Sequence, residues 1–150
     1  KLDTVCAEQV KNKTKIKGFL SRVKEVGLRE IPDPAGDTAT FLAFNLPTEE
    51  LAAKFQKSLA AGGVDTVCFK ANKWHYAPNW EHMMARSTAN PKQYPFTDPS
   101  YRGKVIYDRK DIPQAEDLLG RTLVMGISVK MTDERIAQIK AAVEKAAQEL

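Results

Sequence analysis

The residue patterns of this 150-residue chain predict an α+β fold, a two-layer sandwich in which helices cover one face of a small, mostly antiparallel sheet. Three observations predict it. Apolar residues recur at helical spacing in three segments: Ile16, Phe19, Leu20 and Val23; Leu51, Phe55 and Leu59; Ile136, Ile139 and Val143. Two further segments, "TATFLAFNL" and "TLVMGISV", have the alternation or the β-branched content of strands. The elements follow one another as α-β-β-α-β-loop-α-β-α.

Residues 1–26 read as one amphipathic helix, about 39 Å long at ~1.5 Å per residue, with Gly27 ending it. "LREI", Leu28 to Ile31, is a short strand candidate, and "PDPAGD" is a turn cluster. In "TATFLAFNL" Phe41, Ala43 and Asn45 share one face, and Leu42, Phe44 and Leu46 the other. Thr48 is placed to cap the next helix, Glu49 and Glu50 suit its positive end, and Gly62 and Gly63 stop it. "VDTVCF", Val64 to Phe69, reads as a strand. Asn79 could cap a short helix running through Trp80, Met83 and Met84. Residues 87–113 are irregular, with Pro91, Pro95, Pro99, Gly103 and Pro113 among Tyr94, Phe96, Tyr101 and Tyr107. Pro113 opens a short helix at its first position. Thr122 to Val129 is a strand. Thr132 caps a last helix whose first turn holds Asp133 and Glu134, and whose stripe is Ile136, Ile139, Val143, Ala147 and Leu150.

Composition narrows the function. Hydrophobic content of 43% and charged content of 28% are those of an ordinary soluble globular chain. No apolar run approaches the ~20 residues that span a membrane, and the expected location is cytoplasmic. Cys6 and Cys68 lie far apart in apolar settings, so reduced core thiols are expected, not a disulfide framework. The net charge of +4 permits acidic partners. Lys11, Lys15 and Arg22 fall on one flank of the first helix and Lys13, Lys17 and Lys24 on the other, bordering its apolar stripe. That is a solvated helix with snorkelling edges, not a nucleic-acid patch. The chain opens with Leu2, Val5 and Cys6 already in helical register and no N-cap before them, as a segment beginning inside a longer helix would.

No glycine-rich phosphate loop is present. Cys68, His75 and His82 are evenly spaced, but six intervening residues are not a zinc spacing and no fourth ligand is evident. A Cys68–His75 nucleophile pair is disfavoured by the apolar setting of the thiol. One window stands out. "KWHYAPNWEH", Lys73 to His82, holds both tryptophans and both histidines of the chain. Two readings suit it equally. Either Trp74 and Trp80 pack a satellite cluster with the histidines at its wet edge, or the loop lines a polar pocket. In the second reading indole and phenol rings are flat apolar walls, suited to a sugar, and Asn72, Lys73 and His75 supply hydrogen bonds and charge.

Three stretches carry a resemblance: "KLD" in helical register, "GDTATFLAFNLPTEELAAKFQKSLAAGGVDT", and "AEDLLGRTLVMGISVKMTDERIAQIKAAVEKA". Together they resemble the C-terminal small domain of the DegT/DnrJ/EryC1/StrS sugar aminotransferases, fold-type-I enzymes that use pyridoxal phosphate. "REIPDPAGDTATFLAF" and "NKWHYAPNWEHM" look most like the members that aminate the sugar acid Kdo for lipopolysaccharide. The irregular stretch 90–112 departs from the family in length and content. The resemblance implies an interdomain helix over 1–26, a small domain over 27–150, and a large cofactor-binding domain outside this chain that holds the Schiff-base lysine. It implies L-glutamate as amino donor, a keto or aldehyde sugar as acceptor, and a homodimer. The chain by itself would then be inactive. The substrate-side wall implied here is Asn72, Lys73, Trp74, His75, Tyr76 and Trp80, with Ser128 and Lys130 where the family's late strand runs toward its last helix. No metal site and no catalytic residue is expected in this segment. The alternative is a stand-alone glycan- or protein-binding module of the same fold.

Overall fold

The computed structural model of the chain describes residues 1–100, 102–103 and 106–150; Tyr101, one of the aromatics of the irregular stretch, lies outside them. Helix α1 spans Leu2–Leu20 and buries Asn12, Lys13, Ile16 and Leu20. It stops six residues before the expected end. The Ser21 hydroxyl donates to the Gly18 carbonyl at 3.2 Å, and the amides of Arg22 and Val23 bond three residues back instead of four, to Phe19 and Leu20. That tightening ends the helix. Gly27 therefore caps nothing. It opens strand β1, Gly27–Leu28, where a Cβ would fall 2.8 Å from the Asn45 side-chain amide.

Strand β2, Phe41–Asn45, pairs antiparallel with β1 on one side and with β4, Thr122–Gly126, on the other. Strand β3, Val67–Cys68, pairs antiparallel with the far side of β4, giving the order β1-β2-β4-β3. Leu42, Phe44 and Leu46 are buried and Phe41 is 41% exposed, as the alternation predicts, but Ala43 on the Phe41 face is buried as well. β3 is shorter than the sequence suggests. The Val64 amide donates to Leu59 and the Gln56 amide donates to the Thr66 carbonyl at 2.8 Å, so the residues before Val67 bond the preceding helix and not the sheet. β4 ends early for a related reason: the Asn12 amide of α1 takes the carbonyls of Ser128 and Val129.

Helix α2, Glu49–Ala61, begins where expected, with the Thr48 hydroxyl accepting from the Leu51 amide at 3.2 Å. It ends at Gly62 and at Gly63, whose φ of +74° suits glycine. Gly62 also permits close packing, because a Cβ there would lie 2.6 Å from that of Ala142. Helix α3 is one turn, Glu81–Met84, and Trp80, not Asn79, occupies its cap position. Helix α4, Pro113–Gly120, starts at its proline. Helix α5, Asp133–Gln148, is capped by Thr132 and buries Ile136, Ile139, Ala142, Val143 and Ala146; Ala147 and Leu150 pack at the edge of the core. Helices α1, α2 and α5 thus close one core over one face of the sheet. No helix of the described residues is long and apolar enough to cross a membrane.

Two expectations about burial are corrected. Lys13 is not at a solvated helix edge; it is 8% exposed and paired with Asp37. Cys6 and Cys68 are free thiols, as expected, but both are only partly buried, and Cys68 packs at the edge of the core.

The caps give a first measurable consequence. Thr48→Ala should cost about 1 kcal/mol, the usual worth of a side-chain N-cap. Urea unfolding should report a lower midpoint with an unchanged slope; a loss under ~0.3 kcal/mol would mean that water satisfies the Leu51 amide equally well.

Candidate substrate-facing loop

The aromatic window leaves the end of β3 through a single 3₁₀ turn, Phe69–Ala71, and returns through another, Ala77–Asn79, into α3. Two asparagines build the loop between. The Asn72 side-chain oxygen accepts from the amides of Trp74 at 2.6 Å and His75 at 3.2 Å, which turns the chain. The Asn79 amide donates to the Lys70 carbonyl at 2.8 Å and reaches the Asn72 carbonyl at 3.5 Å, which closes the loop on its own base. Asn79 therefore staples two strands of a loop where the sequence suggested a helix cap.

The loop has an inside and an outside. Tyr76, at 1% exposed, and Pro78 are buried. Lys73, Trp74 and His75 point outward, Trp74 at 84% exposed. The His75 ring stands edge-on to Phe69, with centroids 5.4 Å apart and planes at 84°. Trp80, 36% exposed, lies at the start of α3. The Lys73 ammonium is 3.8 Å from Glu81, and both side chains are open to water, so the pair does little to hold the lysine. Trp74 does not pack into a satellite cluster; the aromatic that fills the loop interior is Tyr76, so within this chain Tyr76 offers no exposed wall.

Ser128 and Lys130 are not brought to this loop. Cys68 pairs with Leu123 near the start of β4, whereas Ser128 lies past Gly126, at the other end. The five steps from Leu123 to Ser128 span about 16 Å at ~3.3 Å each. Ser128 accepts from the Lys130 amide through its hydroxyl and from Asn12 through its carbonyl, and both it and Lys130 are exposed.

Beneath the loop lies a group the sequence did not single out. The Lys70 ammonium is 2.6 Å from Glu49 at the start of α2 and 3.8 Å from Glu116 in α4. The hydrogen bond to Glu49 raises the Lys70 pKa above its usual value, against the opposing effect of burial. Glu49 reads in sequence as an ordinary helix-start acid, and nothing local distinguishes it from Glu50, whose carboxyl is held below its usual range by its own backbone amide and by the Thr48 hydroxyl. Beside Lys70, Glu49, Gln56, Cys68, Gly120 and Leu123 help to line a cavity of about 240 Å³. The Cys68 thiol lies 3.5 Å from the Gly120 carbonyl. Among the described residues no three His, Cys, Asp or Glu side chains converge as metal ligands would.

Pyridoxal phosphate, the cofactor the resemblance implies, needs a lysine amine free to condense. Lys13 and Lys70 are committed to carboxylates, and Lys73 and Lys130 stand on open surface. None of these four lysines offers the unpaired, enclosed amine that the cofactor would need.

No protein-family model matches the chain. Its fold recurs within two larger proteins of known structure. Over 95% of its length it superposes, with a TM-score of 0.58 and 17% identity, on the aminotransferase TlmJ from Streptoalloteichus hindustanus. Over 99% it superposes on 3-amino-5-hydroxybenzoic acid synthase, with a TM-score of 0.61 and 11% identity. The chain spans 31% and 35% of those two proteins.

Proposed function

We propose that this chain is the small domain of a pyridoxal-phosphate-dependent sugar aminotransferase, and that Lys73, Trp74 and His75 form its substrate-side rim. The cofactor, carried by polypeptide outside this chain, would supply the electron sink. The residues here would bind and orient the sugar. Trp74 offers a flat apolar wall, His75 a hydrogen-bonding imidazole backed by Phe69, and Lys73 a cation suited to an acidic sugar. Trp80 extends the same rim, and Asn72 shapes it from behind.

The observation that carries this reading is the contrast between Trp74, 84% exposed, and Tyr76, buried two residues later. A loop that spends its phenol on its own interior and leaves an indole in water is built to meet something. The likeness in fold to part of the aminotransferase TlmJ supports the class of enzyme. The finer reading is transfer of an amino group from L-glutamate to oxidised Kdo, giving its 8-amino derivative (Kdo8N) for lipopolysaccharide, by a cytoplasmic homodimer. It rests on "NKWHYAPNWEHM" and on the basic, aromatic character of the rim.

In the full-length enzyme, His75→Ala should raise the KM for the sugar about tenfold, the loss of one hydrogen bond to a polar ligand. Affinity for pyridoxal phosphate, followed by its absorbance, should not change. Equal loss of both affinities, or of neither, would sink the substrate-rim role.

A further inference from the structure

We infer that Lys70 is the positioning residue of the aromatic loop, the group through which α2 and α4 fix how Trp74 and His75 are displayed. The inference rests on the proposed role of that rim only for its consequence in catalysis; the positioning itself is a statement about this chain.

Lys70 acts at both ends of its residue. Its ammonium is held 2.6 Å from Glu49 and 3.8 Å from Glu116, on two different helices. Its carbonyl accepts from the Asn79 amide, the bond that closes the loop. A lysine fixed at both ends ties the base of the loop to the helical layer. The short Lys70–Glu49 contact is a charge-assisted bond between side chains 27% and 52% exposed. The surroundings are fitted to it. At Gly120 a Cβ would come 3.1 Å from both Glu49 Oε2 and Lys70 Cδ, so the end of α4 leaves just the room the pair occupies. The loop beyond has ties of its own. Its interior is Tyr76 and Pro78, and its turn is the Asn72 oxygen on two amides. The exposed turn that carries Trp74 and His75 opens locally at low cost unless the base beneath it is anchored.

The test is amide hydrogen exchange on the intact chain, comparing Lys70→Met, Lys70→Arg and the charge-swapped pair Lys70→Glu with Glu49→Lys, the last made together with Glu116→Gln so that the new carboxylate meets no like charge. In Lys70→Met the amides of Trp74 and His75 should exchange about fivefold faster, while those of Leu123 and Met125 in β4 keep their rates. Lys70→Arg and the swapped pair should restore slow exchange at the loop. Unchanged loop rates in Lys70→Met, uniform acceleration across loop and β4, or failure of both Lys70→Arg and the swapped pair to restore protection would each overturn the inference. Sugar kinetics in the full-length enzyme separate it from the proposed function. If Lys70→Met frees the loop yet leaves the sugar KM unchanged, the positioning stands and the rim reading falls.

Discussion

Phe55→Ala is expected to lower the stability of the chain by about 3–5 kcal/mol, the loss typical of a fully buried phenylalanine. Phe55 sits in the middle of α2, fully buried, with its ring edge-on to Phe44 at 6.1 Å and 80°. It joins the helical layer to the sheet. Truncation removes the transfer energy of the ring and leaves a cavity between two elements that cannot both relax into it, because Gly62 already presses α2 against Ala142 of α5. For a domain of this size the loss corresponds to a fall in Tm of about 10 °C. Phe55→Leu, which keeps most of the volume, should recover more than half of it. A loss under ~1 kcal/mol by thermal or urea unfolding would show that α2 does not carry the packing described.

Asp37→Asn is expected to cost about 2–3 kcal/mol, below the full cost of breaking a buried pair because Asp37 keeps some contact with water. Lys13 and Asp37 lie 2.5 Å apart with side chains 10% and 24% exposed. Asparagine keeps the oxygen that accepts from the Ala39 amide at 2.9 Å, so the substitution removes the charge and spares the turn. What remains is a nearly buried ammonium without a carboxylate, beside the Phe41 ring 5.9 Å away. Lys13→Met together with Asp37→Asn should therefore be closer to the original stability than Asp37→Asn alone. The pH dependence follows from the carboxylate. The Lys13 hydrogen bond, with help from the Ala39 amide and the charges of Lys13 and Arg29, holds the Asp37 pKa below 3.8 against the opposing effect of burial. A depressed folded pKa stabilises above the unfolded value and is lost as pH falls through the folded one. The stability gap between the original chain and Asp37→Asn should be constant from about pH 7 to pH 5 and should narrow below about pH 4. A gap that is still full at pH 2 would rule out the pair as its source.

The parts of this fold legible from sequence are those set by neighbours along the chain. Thr48 and Thr132 cap because a hydroxyl can reach an amide three residues on. Gly63 stops α2 by taking a positive φ, and Pro113 opens α4 by its fixed φ. What sequence did not reveal depends on distant partners. The length of β4 is decided by Asn12, more than a hundred residues away, and the burial of Lys13 by Asp37, 24 residues on. β3 is short because Gln56 takes the carbonyl of Thr66. The candidate site was visible as composition, since two indoles and two imidazoles in ten residues need no fold to be noticed. Its orientation was not. Alternation cannot assign Tyr76 to the inside and Trp74 to the outside of a loop without regular periodicity, and it gives no hint that Lys70 and Glu49 meet beneath.

The loop divides its labour among residues. Lys70, Asn72, Tyr76, Pro78 and Asn79 make the frame, while Lys73, Trp74 and His75 are borne on it and support little else. Such separation lets three adjacent codons change what the rim greets without renegotiating how the polypeptide folds. A lineage, or an engineer, could exchange those three as a cassette and acquire a different preference while inheriting the same scaffold.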